Sequence, residues 1–367
     1  MNIAGTHYRT IWPAADNDKV VEVIDQRKLP HELCIKRLAT LEDAHAAIRD
    51  MIVRGAGLIG TAAGYGMYLA SLQAGTRSFG KDMKQAARFL TSARPTARNL
   101  GWATERIVAR TAQCSSLREL QKRCFDEARA IADEDISCCR QIGRHGLELI
   151  RKIWEKNGKK RPVNILTHCN AGWLAFVDYG SATAPIYAAR DDGIDLHVWV
   201  DETRPWNQGS RLTAWELTQE GIANTLITDN AGGHLMQKKE VDMVIVGSDR
   251  TTHTGDVANK TGTYLKALAA RDNNIPFFVT LPSSTFDWNL DKGADIPIES
   301  RPGYEITSIT GPTETGKMET VRLAAEHTQT ANYSFDITPA RLVTALITER
   351  GVVKADRMSI HSLFPEY

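Results

Sequence analysis

Five short apolar runs in the second half of the chain leave few folds open. VNILTH (163–168), LHVWVDE (196–202), ANTLITDN (223–230), VDMVIVG (241–247) and IPFFVTLP (275–282) alternate with segments of helical pattern. Strands buried on both faces read as near-continuous apolar runs, and their alternation with helices builds a parallel sheet covered on both sides. The class is therefore α/β. At 367 residues the chain exceeds one small core and suits two domains. We place a mostly helical domain with short strands at 1–140 and a Rossmann-like parallel-sheet domain at 141–367.

The ends of these runs carry the chemistry. The first closes on Thr167-His168-Cys169-Asn170, the second on Asp201-Glu202-Thr203-Arg204, the third on Asp229-Asn230 and the fourth on Asp249-Arg250. Carboxyl ends of parallel strands cluster in space and form the ligand crevice of open α/β sheets. Cys169, at a strand tip before a small-residue turn, reads either as a buried structural thiol or as a thiol poised for proton transfer.

The first half is read by its caps and glycines. Short strands are expected at Tyr8–Trp12 and Val20–Ile24, split by the turn-prone Ala15–Asp18. Thr40 with Asp43 makes a capping box for a helix with Leu41, Ala44, Ile48 and Ile52 inward. Arg54-Gly55-Ala56-Gly57 then opens a second helix. Glycines there let an anion approach backbone N–H groups at the positive helix end, with Arg54 as a fork. Thr96 is expected to cap a helix with Arg94 and Arg98 near its start, and Leu117–Lys156 to form one or two long amphipathic helices. Glu155–Pro162 reads as a solvated turn. A last helix is expected from an N-cap at Thr338 through Pro339, Leu342, Ala345 and Leu346, with Gly351 as its stop.

Composition excludes several classes. Lys+Arg 45 against Asp+Glu 44 leaves a formal charge of +1, with no basic excess for nucleic acid. Gly55–Thr76 carries no charge and is long enough to span a bilayer, but its glycines and hydroxyls fit a buried, closely packed helix instead. The six cysteines form no CxxC pair, and His168 and Cys169, adjacent on a strand, face opposite ways, so no metal site is expected. No GxGxxG follows the first strand, which argues against a dinucleotide, and no cofactor is expected. Size, sparse cysteines and the start MNIAGTHYRT favour a reducing cytosol.

Six ordered stretches carry a resemblance: RGAGLIG, RPTARNLGWA, ILTHCNAG, DETRPWNQGSRLTAWEL, GSDRTTHTGDVANKTGTY and ITPARLVTALITERG. Together, from about Arg9 to Gly351, they resemble the methylthioribose-1-phosphate isomerase family. That family is homologous to the α, β and δ regulatory subunits of the translation-initiation guanine-nucleotide exchange factor. The resemblance implies a helical domain followed by a Rossmann-like domain, a homodimer, and conversion of 5-methylthioribose 1-phosphate to methylthioribulose 1-phosphate in methionine salvage. It matches the family's catalytic cysteine and aspartate to Cys169 and Asp249. Its binding positions match Arg54, Gly55, Ala56, Arg94, Gln208, Asn259 and Lys260. Arg54, Arg94 and Lys260 are the expected phosphate ligands.

Two departures bear on the sugar. The family more often has Pro-Ala where this chain has Gly57-Leu58, a turn at which ribose-1,5-bisphosphate isomerases carry RGAG. Ser248 and Thr251–Thr254 also replace a more alanine-rich form. If Leu58 faces the pocket, it favours an apolar or small C5 group such as methylthio or deoxy. Arg204 is assigned to an ion pair with nearby carboxylates. The alternatives are a ribose-1,5-bisphosphate isomerase and a non-catalytic exchange-factor subunit.

The chemistry accounts for the two reactive residues. A sugar with phosphate on its anomeric oxygen opens only if an acid protonates the ring oxygen as the C1–O bond breaks. Hydrogen must then move from C2 to C1, through a cis-enediol or as a hydride. Asp249, after a very apolar strand, suits the acid, and Cys169 the proton carrier or transition-state stabiliser.

Overall fold

The apolar runs form strands Val163–Thr167, Leu196–Asp201, Asn224–Ile227, Met243–Val246 and Phe277–Thr280 in a computed structural model that describes residues 1–76 and 78–367. A sixth parallel strand, Ala345–Thr348, and an antiparallel edge strand, Gly351–Val353, complete a seven-stranded sheet. Across the sheet the order is Gly351–Val353, Ala345–Thr348, Phe277–Thr280, Met243–Val246, Val163–Thr167, Leu196–Asp201, Asn224–Ile227. From the first strand the chain steps outward through two neighbours, then returns to the other side of that strand and steps outward the opposite way. This is the doubly wound Rossmann order, and its reversal between Val163–Thr167 and Met243–Val246 opens a crevice at their carboxyl ends. Cys169 and Asp249 follow those two strands.

The expected helix after Thr338 is not formed. Thr338 ends the strand Phe335–Thr338, one tight turn covers Ala340–Leu342, and Ala345–Ile347 pairs in parallel with Phe278–Thr280. The helical spacing of Leu342, Ala345 and Leu346 is real. It lost to an open sheet edge on which all of Ala345–Thr348 is buried.

In the first half, strands Ile11–Pro13, Val21–Ile24 and Ile35–Leu38 make a small antiparallel sheet. Helix α1 (Leu41–Arg49) has the expected box: Thr40 Oγ1 accepts from Asp43 N at 3.0 Å, and Asp43 Oδ2 accepts from Thr40 N at 3.0 Å. The charge-free stretch is α2 (Ala56–Gln73), buried without a break from Gly57 to Ser71. Its glycines admit neighbours closely; Gly64 faces Ala128 and Ile131, and Gly66 faces Ala44 and Leu90. Because α1, α3 (Phe79–Ser92), α4 (Arg98–Thr111) and α5 (Leu117–Lys156) surround it, α2 offers no face for a second subunit. Among the described residues no helix is long and apolar enough to cross a membrane.

Thr96 does not cap α4. The cap position is Ala97, with no side-chain bond, and the Thr96 carbonyl is taken by Arg250 Nη2 at 2.6 Å. The long helical pattern is one helix: α5 runs 40 residues from its Ser116 cap, passing position 140 unbroken. Leu120, Ala128 and Ile136 feed the helical core, while Ile142 and Ile150 feed the sheet core.

Candidate active site

The turn after Val163–Thr167 is bent to present one side chain. Cys169 has φ +67°, a left-handed conformation uncommon outside glycine. Both its peptide groups are fixed: its N–H donates to Thr203 Oγ1 at 2.9 Å and its carbonyl accepts from Thr213 Oγ1 at 2.7 Å. The buried thiol lines a cavity of about 470 Å³ that is partly open to solvent. Asp249 reaches the same cavity from the far side of the switch point, its N–H bonded to Ala258 O at 3.0 Å. The hairpin that follows, Arg250–Thr252 against Val257–Lys260, brings Lys260 in beside it.

The helical half closes the cavity with Arg54, Gly55 and Arg94. Gly55 has φ +96°, and a Cβ there would lie 2.4 Å from Ala175. Only glycine lets this turn approach the short helical turn Trp173–Ala175. Gln208 enters ahead of a wide π turn, Gly209–Thr213, with an amide oxygen that has no hydrogen-bond partner. Gly209 is also obligatory, since a Cβ would sit 1.6 Å from the Asp201 carbonyl. Ala56 lies in an adjoining lobe. Asn259 lines neither space; its amide donates to Thr263 Oγ1 at 3.0 Å.

The cations are not equivalent. Arg94 Nη2 lies 2.8 Å from Glu299 Oε2, and Arg301 is shared between Glu299 at 3.1 Å and Glu305 at 2.5 Å. Arg54 instead donates to Asn170, at 2.5 Å to Oδ1 and 2.7 Å to the backbone oxygen. Lys260 Nζ stands 5.3 Å from the centre of the Phe335 ring. Among the described residues neither Arg54 nor Lys260, each under 10 % exposed, has a carboxylate within 4 Å. Buried, unneutralised cations facing a cavity call for an anion.

Burial holds Cys169 and Asp249 toward their neutral forms. The thiol is pushed above its ordinary range by desolvation, opposed by Arg54 and Lys260. The Asp249 carboxyl is pushed up the same way, opposed by Lys260, Arg94 and Arg54. Lys260 is pushed down by its own burial. A thiol and a carboxyl biased toward their protonated forms, beside cations in one pocket, can bind an oxyanion and move protons on a neighbouring carbon or oxygen.

The adjoining lobe shares Arg94, Asp249 and Phe335 with this cavity and is walled by Ile59, Ala97, Ala258, Ile296 and Pro297 on its apolar side and by Arg98 and Arg250 on its polar side. Leu58 is not in it. That side chain is fully buried in the helical core, so it cannot select the sugar's C5 group. Nor does Arg204 pair with carboxylates through its guanidinium, which donates to the carbonyls of Pro205, Glu305 and Ile306. Its backbone N–H meets Asp229 instead, at 2.7 Å.

Among the described residues one group has metal-ligand proximity, His168, Asp201 and Asp229. Lys266 Nζ already lies 2.9 Å from Asp201 Oδ2 and takes a cation's place there. Sequence reasoning missed Arg301, Glu305, Asn332, Phe335, Trp206 and Met51, which also line the cavity. One signal was available for two of them: Arg301 and Glu305 flank Pro302-Gly303 at ion-pair spacing.

The Initiation factor 2 subunit family model matches residues 52–355. A methylthioribose-1-phosphate isomerase of Desulfatibacillum aliphaticivorans is 54% identical over 374 residues, covering 100% of this chain and 99% of the relative. The chain belongs to this family, and within it to the methylthioribose-1-phosphate isomerases. The isomerase of that name from Gluconobacter oxydans is 53% identical over 369 residues, again with 100% and 99% coverage. Among solved structures, 5-methylthioribose 1-phosphate isomerase from Pyrococcus horikoshii OT3 has TM-score 0.83 and 38% identity, covering 98% of this chain and 97% of that one. The translation initiation factor eIF-2B subunit delta from A. fulgidus has TM-score 0.79 and 36% identity, with 98% and 100% coverage.

Proposed function

We propose that this chain is an aldose–ketose isomerase converting 5-methylthioribose 1-phosphate to 5-methylthioribulose 1-phosphate. The observation that carries the reading is the pair of buried, unneutralised cations, Arg54 and Lys260, at the switch-point cavity with Cys169 and Asp249. Names of relatives such as the Desulfatibacillum enzyme supply the substrate.

Arg54, Lys260 and the partly engaged Arg94 take the 1-phosphate, and the unpaired oxygen of Gln208 accepts from a sugar hydroxyl. Asp249, biased toward its protonated form by burial, gives its proton to the ring oxygen as the bond from C1 to that oxygen opens. Hydrogen then passes from C2 to C1. On one route Cys169 carries a proton from C2 to C1 through a cis-enediol, and on the other a hydride moves directly from C2 to the electron-poor C1. On either route the Asp249 carboxylate left by ring opening takes the C2 hydroxyl proton as the ketone forms. Deuterium placed at C2 distinguishes them, since solvent exchange marks the first route and full retention the second.

The apolar lobe replaces Leu58 as the reason for preferring methylthio or deoxy at C5. A second phosphate there would shed its hydration against Ile59, Ala97, Ile296 and Pro297. Of the two further arginines in the lobe, Arg250 is already engaged by the Thr96 carbonyl and Asp287, which leaves Arg98 to offset that cost. The expected order of kcat/KM is therefore 5-methylthioribose 1-phosphate and 5-deoxyribose 1-phosphate above ribose 1,5-bisphosphate, by about 10²-fold or more. A higher value for the bisphosphate overturns the assignment, and no turnover of any of the three returns the chain to a non-catalytic role. A homodimer in the cytoplasm is proposed from family membership alone; a concentration-independent monomer in sedimentation removes the first.

A further inference from the structure

Arg54 is oriented by a neutral amide, and that amide is oriented by a buried carboxyl. The Asn170 side chain has two unlike ends. Its oxygen accepts from Arg54, while its nitrogen donates to Thr213 Oγ1 and to Glu216 Oε1, both at 3.1 Å. The Thr213 hydroxyl has committed its proton to the Cys169 carbonyl, so toward Asn170 it can only accept. Turning the amide over would set an NH₂ against the guanidinium and an oxygen against Glu216 Oε1, which already acts as an acceptor toward Leu174 N. Both contacts would repel, which leaves one orientation.

Glu216 is fully buried, on the helix Ala214–Gln219, and does not line the cavity. Its Oε1 also accepts from Leu174 N at 2.8 Å, and its Oε2 faces the Tyr187 hydroxyl at 3.4 Å. The turn between Asn170 and Leu174 is shaped to this carboxyl. A Cβ on Gly172 would overlap Glu216 Oε2 at 1.6 Å. A carboxyl taken wholly out of water, at a site where a smaller apolar residue would pack, needs a reason beyond packing.

We propose that Glu216 is a positioning residue for the anion clamp: acting through Asn170, it fixes the direction in which Arg54 presents its guanidinium to the cavity. This rests on the reading of Arg54 as a phosphate ligand, and the test separates the two. Steady-state turnover of 5-methylthioribose 1-phosphate is measured with inorganic phosphate as a competitive inhibitor, in Arg54→Ala, Glu216→Ala, the double variant and Glu216→Gln.

Arg54→Ala is expected to raise KM and the phosphate Ki by roughly 10- to 100-fold, the scale of a charge-assisted contact. Glu216→Ala raises both about tenfold with a smaller change in kcat, and the double variant is no worse than Arg54→Ala, because the two act in series. Glu216→Gln stays within about threefold of the parent, since its amide oxygen can serve Asn170 and Leu174 while its nitrogen faces Tyr187. Losses that add in the double variant overturn the proposal, as does a Gln variant as impaired as the Ala. Loss in Arg54→Ala without loss in Glu216→Ala overturns the positioning role and spares the phosphate site. No loss in Arg54→Ala removes both. Should Glu216→Ala fail to fold, Asn170→Ala takes its place in the same cycle with the same expectations.

Discussion

Two pairs each join a buried thiol to a half-buried carboxyl, Cys169 with Asp249 at the sheet crevice and Cys139 with Asp135 on one face of α5. Desolvation pushes all four groups up; Asp135 reaches about 7. Their charged neighbours differ. At the crevice Arg54 and Lys260 oppose the shift on both groups, whereas Asp135, Asp178 and Glu349 push Cys139 further and Asp178 pushes Asp135 further. Burial alone makes a group inert. Burial beside cations makes one that can be charged briefly at modest cost, which is what proton transfer requires.

The sharpest way to break that comparison is to neutralise each pair. Cys169→Ser and Asp249→Asn should each lower kcat by about 10²-fold or more, the usual scale for an acid–base group. Cys139→Ala and Asp135→Asn should stay within about threefold. Comparable losses from both pairs would mean that packing, not the surrounding charge, sets activity.

A smaller effect tests the cations. Lys260→Met keeps the volume and removes the charge, and should cost about tenfold in kcat/KM. Because Lys260 holds the Asp249 carboxyl down, its loss should raise that group's proton affinity. The alkaline fall in rate, where Asp249 gives up its proton, then moves to higher pH. Movement to lower pH would show that Asp249 is not the acid.

The smallest expected effect is on stability. Glu216, with no cation bonded to its carboxyl, is pushed from 4.5 to about 7 by burial. Between those values the folded chain holds a proton that the unfolded chain has released, so stability falls as pH rises through that window. Glu216→Gln should therefore raise Tm by several degrees at pH 8, a gain of about 3 kcal/mol at most, and give no gain near pH 4. Thermal melts at the two pH values decide it, and a Gln variant that is less stable at pH 8 would contradict the ionisation.

What could be read before folding follows from how local each signal is. The five strands were legible because sheet burial on two faces writes a continuous apolar run, and the tips placed Cys169 and Asp249 on one edge of the sheet. That their strands are neighbours only the folded order shows. Thr40 and Asp43 showed one cap because both partners lie three residues apart. Ala345–Thr348 was misread because its spacing is helical and only the neighbouring strand Phe277–Thr280 decides otherwise. Arg301 and Glu305 reach the cavity from a long segment with no period to read, and Phe335 from the short strand Phe335–Thr338 that follows it. Glu216 and Asn170 sit 46 residues apart, and their bond is written nowhere in the local sequence.

Helix α5 enters both cores as one rigid rod, about 60 Å from end to end. In mechanical terms it is a strut embedded in both halves, so they cannot swing apart at the cavity without bending a helix near its middle. The compliance that lets a sugar in therefore falls on pieces tied to neither core. Chief among them is the hairpin Ser308–Pro312 with Met318–Arg322, whose second strand is exposed at every residue and which adjoins Trp206 and Glu305 at the cavity edge.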